Sequence, residues 1–216
     1  MIIQTLSRII DKTLKDGATL KAYNRYLVSE AADLSQILHL PKNEIPSYVQ
    51  GFVLSYIRAV PKLLNYVEKL FKKYHILDDW LPALKVMVNF FIAPMDLVKR
   101  QSDIHQLMLE AYLAMRILEE INEFFLDEAH TPLLPDKIAY VNVVMHTIIG
   151  ESIARILDEV VFEVVHSMLP DRQRLSHELQ QFLGDLAEQK QKILPNWPAM
   201  DNELDLSVFI HTAHIS

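Results

Sequence analysis

The chain has 216 residues, half of them apolar, with a net charge of −7 and only 4 glycines. So few glycines argue against a β-sandwich, a β-barrel or a glycine-rich phosphate loop, and they favour an all-α fold. The absence of cysteine excludes disulfides, thiol catalysis and thiolate zinc sites, and it suits a reducing compartment such as the cytoplasm.

The first 100 residues show repeated helical periodicity, broken at proline-containing segments. No signal peptide is expected, because the N-terminus lacks a basic region followed by an apolar core. The most apolar window, 80–98, contains Lys85, Asn89 and Asp96, so no transmembrane segment is expected. The pattern predicts helices over 2–15, 19–39, 45–60, 61–76 and 78–100, and Pro94 is expected to kink or end the last of these.

A long antiparallel helical hairpin is predicted over residues 102–169, with its turn at 131–136. Ser102 and Asp136 are predicted N-caps of its two arms, and Gly150 is expected to weaken the second arm only locally. A final helix is predicted from Asp171 to Leu194. We therefore expect a single all-α domain over 1–198, a multi-helix bundle built around the hairpin, followed by a C-terminal docking tail over 199–216.

Three polar residues of the hairpin fall within its apolar stripes: Asn122, Asn142 and His146. Residues equidistant from the turn are adjacent in an antiparallel hairpin, which places Asn122 near position 144. A buried amide or imidazole without a partner is costly, so we predict a buried polar cluster in which the three side chains share hydrogen bonds or a water molecule.

The charge is unevenly distributed: residues 1–100 carry a net +5 and residues 101–216 a net −12. In the basic half, a helix-turn-helix would place its small and apolar positions at Leu34, Ser35, Leu38, Leu40 and Ile45. One alternative function, which resembles this layout in outline, is a TetR-like DNA-binding transcription regulator with contacts from Lys42 and Arg58. Pro46 and the apolar character of the would-be recognition helix argue against it.

A second basic feature is the helix predicted from Pro61, whose polar face carries Lys62, Lys69, Lys72 and Lys73. Such a face could contact an anion, nucleic acid, a membrane surface or an acidic partner, although a basic face is more often simply solvated.

A metal site is a further alternative, because carboxylate-bridged helical bundles of the di-iron type use Glu-x-x-His pairs. Glu159, Glu163 and His166 share an edge of one helix and could ligate a metal ion. The other candidate pair, ending at His130, would be roughly 40 Å away in a hairpin, so no shared intrachain site is expected. No other cofactor is predicted, and the sequence contains no nucleophile elbow, phosphate loop or dinucleotide fingerprint.

The favoured function is a non-catalytic helical bundle that forms a homodimer and binds a partner protein or a small apolar ligand. The helix over 81–98 and the hairpin are expected to line the binding groove. The sequence by itself leaves open whether the protein is catalytic.

Overall fold

The computed structural model describes residues 2–94, 102–135 and 137–194. These residues form eight α-helices and confirm the all-α, multi-helix bundle. The helices are α1 Ile2–Lys15, α2 Gly17–Leu38, α3 Ile45–Lys73, α4 Leu77–Ile92, α5 Asp103–Ala129, α6 Lys137–Ile149, α7 Glu151–Met168 and α8 His177–Ile193. The predicted cap Asp136 and the predicted tail 199–216 lie outside the described residues.

Helix α5 is the centre of the bundle and contacts each of the seven other described helices. Its N-terminal half is buried on all sides over residues 104–115. The predicted cap is present, since the Ser102 hydroxyl accepts a hydrogen bond from the backbone N–H of His105 at 3.1 Å. A helix surrounded in this way can place side chains in several inter-helix spaces at once.

Helix α3 continues through Pro61, so the prediction of two helices with a boundary there is wrong. A proline inside a helix removes one hydrogen bond and costs about 3 kcal/mol. Both halves of α3 share one apolar stripe, which is buried from Ile45 to Phe71. Burial of that stripe against the bundle outweighs the local cost, because each large apolar side chain contributes about 1.5–3 kcal/mol.

Three other helix boundaries differ from the sequence prediction. Helix α4 ends at Ile92, before Pro94, rather than near residue 100, because proline cannot continue the hydrogen-bond ladder of a helix. Asp16 caps the start of α2 by accepting from Thr19 N–H at 3.0 Å, so α2 begins directly after α1. Helix α8 starts at His177 rather than near Asp171, with Ser176 as its cap. The Ser176 hydroxyl also donates to Asp79 on α4, which ties the start of α8 to the body of the bundle.

The second arm of the predicted hairpin is divided at Gly150 into α6 and α7. Gly150 has φ +90° and ψ 141°, a conformation that ends α6 and that L side chains rarely adopt. The effect of this glycine is therefore not local, because the chain changes direction there. Helix α6 runs antiparallel to α5, whereas α7 runs parallel to it.

Polar contacts along α5 establish these directions. Asn142 of α6 is bonded to Glu119 of α5. One turn later on α6, His146 contacts Tyr112, which precedes Glu119 by about two turns of α5. The two helices therefore run in opposite directions. Farther along the chain, Asp158 bonds Tyr112, whereas Arg172, just after α7, pairs with Asp127 near the end of α5. The single antiparallel hairpin over 102–169 is thus replaced by three helices that meet around one stretch of α5.

No helix among the described residues is both long enough and apolar enough to cross a membrane.

Candidate functional site: a polar cleft between three helices

A cleft of about 370 Å³ opens where α5, α6 and α7 meet. Because α6 and α7 diverge from the corner at Gly150 and both pack on α5, a polar stretch of α5 is left between them. The residues that line the cleft are Tyr112, Arg116, Glu119, Ala139, Asn142, Val143, His146, Thr147 and Asp158.

Arg116 lies at the centre of a hydrogen-bond network in this cleft, and each of its three guanidinium nitrogens faces a different carboxylate. Its Nε donates to Asp158 Oδ1 at 3.2 Å, which joins α5 to α7. Its Nη1 is bonded to Glu119 Oε2, and its Nη2 lies 3.6 Å from Glu120 Oε1 on the same helix. Arg116 is therefore held from two helices and does not move as an independent surface side chain.

A second branch of the network runs from Asp158 towards solvent. The Tyr112 hydroxyl donates to Asp158 Oδ1 at 3.0 Å and lies 3.0 Å from His146 Nδ1. The other ring nitrogen of His146 lies 2.9 Å from the exposed carboxylate of Glu151 at the start of α7. The His146 ring of α6 thus lies between Tyr112 of α5 and Glu151 at the start of α7.

The third branch enters the core through Asn142, which is only 2% exposed. Its Nδ2 donates to Glu119 Oε2 at 2.6 Å and to the Met115 carbonyl at 3.2 Å. Its Oδ1 accepts the hydroxyl proton of Tyr56, a fully buried residue of α3, at 2.6 Å. A continuous chain of bonds, the polar network, therefore extends from Tyr56 in the core to Glu151 at the surface.

Burial and neighbouring charges shift the pKa of three members of the network, Tyr56, Tyr112 and Arg116. Burial raises the pKa of Tyr112, and the neighbouring Asp158 charge raises it further, so its hydroxyl stays neutral. Burial similarly raises the pKa of Tyr56 well above its ordinary value. Burial alone would lower the pKa of Arg116, but Glu119, Tyr112 and Asp158 together raise it above its ordinary value.

The structure brings Asn142 and His146 of the predicted polar cluster into this cleft. Asn122 lies elsewhere: its Oδ1 accepts a 2.7 Å bond from the buried backbone N–H of Leu134. The loop after α5 folds back along the helix, with Leu133 and Leu134 completely buried. The loop therefore packs beside Asn122, in the place where α6 was expected. As a result, Asn142 of α6 pairs with Met115 and Glu119, nearer the N-terminus of α5 than the predicted hairpin pairing.

The three candidate metal ligands Glu159, Glu163 and His166 are exposed side chains on α7. Within the part of the chain that the structure describes, no group of three or more His, Asp or Glu residues could hold a metal ion. His166 instead stacks on the exposed ring of Phe162, with the ring planes 12° apart.

The basic candidates are exposed and spread along α3 and the loop before it: Lys42, Arg58, Lys62, Lys69, Lys72 and Lys73. Lys72 forms an ion pair with Glu68, and Lys73 lies over the Tyr74 ring at 4.8 Å.

The structure does not favour the predicted helix-turn-helix. Arg58 lies 13 residues into α3, roughly 20 Å along the axis at 1.5 Å per residue. The helix that would recognise DNA packs into the core instead, and its buried residues cannot reach a DNA groove: Val49, Phe52, Val53 and Tyr56.

An apolar groove of about 240 Å³ also lies between α1, α3 and α4, the last of which is the helix expected to line a binding site. Its apolar walls are Ile3, Leu64, Leu81, Leu84 and Val88, with Glu68 and Lys85 at the polar edge.

The sequence does not predict six members of the polar network: Tyr56, Tyr112, Arg116, Glu119, Glu151 and Asp158. Helical periodicity puts Arg116 and Asp158 opposite the apolar stripes of their helices, on faces that would be exposed to solvent. A usable signal was the spacing of Arg116, Glu119 and Glu120, which places three charges on one helical face. The partner on α7 could not be found without the change of direction at Gly150.

Comparison of the chain with protein-family models, curated proteins and solved structures gave no match.

Proposed function

We propose that this protein is a non-catalytic ligand-binding helical bundle, whose site is the cleft between α5, α6 and α7. The observation that carries the proposal is the polar network, in which side chains from four helices are fixed in one arrangement at the floor of an open cleft. Preorganised polar groups lower the entropic cost of binding. The cleft volume of about 370 Å³ lies within the range of small-molecule sites, about 300–1,000 Å³.

Binding is favoured over catalysis because the polar groups of the cleft are engaged with one another. Arg116 is neutralised by carboxylates, and the Tyr112 hydroxyl donates to Asp158. A general base or a nucleophile would need a lone pair directed at the substrate rather than at a neighbouring side chain. The arrangement instead suits recognition of a ligand by a rigid surface.

A library of small fragments, screened by thermal unfolding, tests the proposal. Ligands at about 100 times their Kd stabilise the folded state by about 2.7 kcal/mol, which raises the Tm by several degrees. Ala139 lines the cleft and is half-buried, so Ala139→Trp should fill the cleft and abolish the shift. The matched variant Lys85→Trp obstructs the apolar groove beside α4 instead.

The two tryptophan variants distinguish binding in the cleft from binding in the apolar groove. Fragments whose stabilising effect is lost in Ala139→Trp and kept in Lys85→Trp support the cleft. The opposite pattern, obtained with apolar fragments, would assign binding to the groove and refute the cleft. The same refutation follows if every shift survives Ala139→Trp.

A second role, homodimer formation, is favoured by exposed apolar side chains on α6 and α7. Tyr140, Val143 and Phe162 are 67%, 66% and 67% exposed, although they are large apolar residues. Exposed apolar surface of this kind is typical of interaction sites. A cytoplasmic location remains the expectation for a chain without cysteine.

Sedimentation equilibrium tests the dimer. We expect wild type to dimerise with rising concentration and Phe162→Glu to remain monomeric. Tyr48→Glu, which replaces an exposed aromatic residue on α3, serves as the control and should still dimerise. A wild-type protein that stays monomeric at the highest concentration would refute the dimer.

A further inference from the structure

The apolar groove between α1, α3 and α4 is a surface feature separate from the polar cleft. Two of its walls, Leu64 and Val88, are only 0% and 3% exposed, and its lining is apolar except for Glu68 and Lys85. Apolar side chains gain most from leaving water, so a recess of this kind suits a ligand or a chain segment that carries such side chains.

The border of this groove has a net positive charge. A wider cleft of about 480 Å³ between α1 and α3 adjoins the groove and shares Ile3 and Glu68 with it. Glu68 forms an ion pair with Lys72. Taken together, the charged residues of the two cavities and this ion-pair partner are four cations and two carboxylates: Arg58, Lys62, Lys72, Lys85, Asp11 and Glu68.

Residues 199–216, which follow the described part of the chain, have the complementary composition. They contain three acidic residues and no lysine or arginine. The three acids alternate with or closely precede five large apolar residues, all within positions 201–210: Leu204, Leu206, Val208, Phe209 and Ile210. An acidic segment with apolar side chains matches an apolar groove with a positive border in both hydrophobicity and charge.

The exposed apolar surface on α6 and α7 is a less suitable partner for this segment. Val143 lines the polar cleft together with Glu119 and Asp158, and Phe162 is followed directly by Glu163. Those carboxylates have the same sign of charge as the acidic segment, and like charges disfavour docking. The charge pattern of the bundle therefore favours the groove beside α4.

The chain after α8 is long enough to reach the groove. Ser176 at the start of α8 bonds Asp79, which precedes the groove residue Leu81 by two positions. Helix α8 has 17 residues, or roughly 25 Å at 1.5 Å per residue, so its end lies within roughly 40 Å of the groove. The 13 residues from Leu194 to Ser207 span up to about 45 Å when extended.

We propose that the apolar groove binds the chain's own segment 201–210, with the apolar side chains of the segment against Leu64, Leu81 and Val88 and its carboxylates towards Lys62 and Lys85. The docking surface is distinct from the polar cleft, and the inference goes beyond the ligand binding proposed there.

Disulfide trapping in the whole 216-residue chain tests this docking, because the protein has no cysteine of its own. Asn89→Cys is exposed on α4, one turn beyond Lys85, and is combined with Ser207→Cys in the segment. The control combines Ser207→Cys with Tyr140→Cys, which is 67% exposed on α6. In a glutathione redox buffer, the fraction of intrachain disulfide gives the effective concentration of each pair. We expect at least a tenfold higher value for the Asn89 pair.

Further substitutions in the Asn89 pair test the apolar and the charged contacts separately. Phe209→Ser should lower the effective concentration by about tenfold, because it removes the largest apolar side chain of the segment, whereas His214→Ser should leave it unchanged. Lys85→Glu should lower it by about fivefold at low salt. Lys42→Glu, an equal change of charge in the loop before α3, should have no such effect.

Circular dichroism of each variant shows whether it is folded, and Lys85→Cys provides a second position at the groove if Asn89→Cys unfolds the protein. Equal effective concentrations for the Asn89 and Tyr140 pairs would overturn the docking, as would a value that Phe209→Ser leaves unchanged. A disulfide that forms only between two copies would overturn the intrachain contact. Equal effects of Lys85→Glu and Lys42→Glu would overturn the assigned position of the carboxylates. None of these results depends on fragments that bind the polar cleft, so the two proposals fail separately.

Discussion

Asn142 connects the polar network to the core, and Asn142→Leu tests how strongly that connection stabilises the fold. Leucine has a similar size but cannot accept the Tyr56 hydroxyl or donate to Glu119. Tyr56 is fully buried, so its hydroxyl would lose its partner without access to water. The change therefore separates the cost of an unpaired buried group from that of a lost apolar contact.

The magnitude follows from the individual bonds. An unpaired buried hydroxyl costs about 1–3 kcal/mol, and a hydrogen bond to a charged group contributes about 1.5–3 kcal/mol. The second term takes a value near its lower limit, because Glu119 keeps its bond to Arg116. Burial of the leucine side chain offsets about 1–2 kcal/mol. We expect Asn142→Leu to lower the free energy of unfolding by about 2 kcal/mol.

The assay is urea unfolding followed by far-UV circular dichroism at one protein concentration, for wild type, Asn142→Leu, Tyr56→Phe and the double variant. In the double variant the unpaired hydroxyl is absent, so part of the loss should be recovered, with a coupling energy of about 1–2 kcal/mol. If the two single losses simply add, or if Asn142→Leu costs less than about 0.5 kcal/mol, the network does not stabilise the core as argued.

Two further predictions concern the corner at Gly150 and the buried His105. Gly150→Ala should destabilise the fold by about 1–2 kcal/mol in urea unfolding because φ is positive there, whereas Gly184→Ala inside α8 should stabilise it by about 0.5–1 kcal/mol. Neither position has a neighbouring atom within 4 Å of an added Cβ, so equal effects would refute the backbone explanation. Burial lowers the pKa of His105 below 6.5, so the unfolded chain binds the proton more readily and the free energy of unfolding should fall as the pH drops through 6.5. His105→Phe should reduce this pH dependence relative to wild type and to the exposed-site control His166→Gln; an unchanged slope would contradict the argument.

The sequence predicted the parts of the fold that depend on local chemistry. Helical periodicity identified α1, α2 and α5, and the Ser102 cap followed from the preference of a serine hydroxyl for free backbone N–H groups. The low glycine content indicated the all-α class. Asn142 and His146 were identified as inward-facing polar residues because they interrupt an apolar stripe.

The remaining features depend on tertiary packing. Pro61 is accommodated in α3 because the stripes on both sides of it are buried together, a gain that no local rule contains. The loop after α5 folds back to bond Asn122, which shifts the register of α6 and separates Asn122 from the cleft.

The cleft shows most clearly which features follow from local sequence and which depend on tertiary packing. The sequence by itself determined that α5 is a long amphipathic helix with Arg116, Glu119 and Glu120 on one face. Only the tertiary structure decided that this face meets Asp158, because the positive φ of Gly150 turns α7 back along α5. Periodicity records which residues share a face within one helix, whereas the partner of that face depends on the direction that the chain takes between helices.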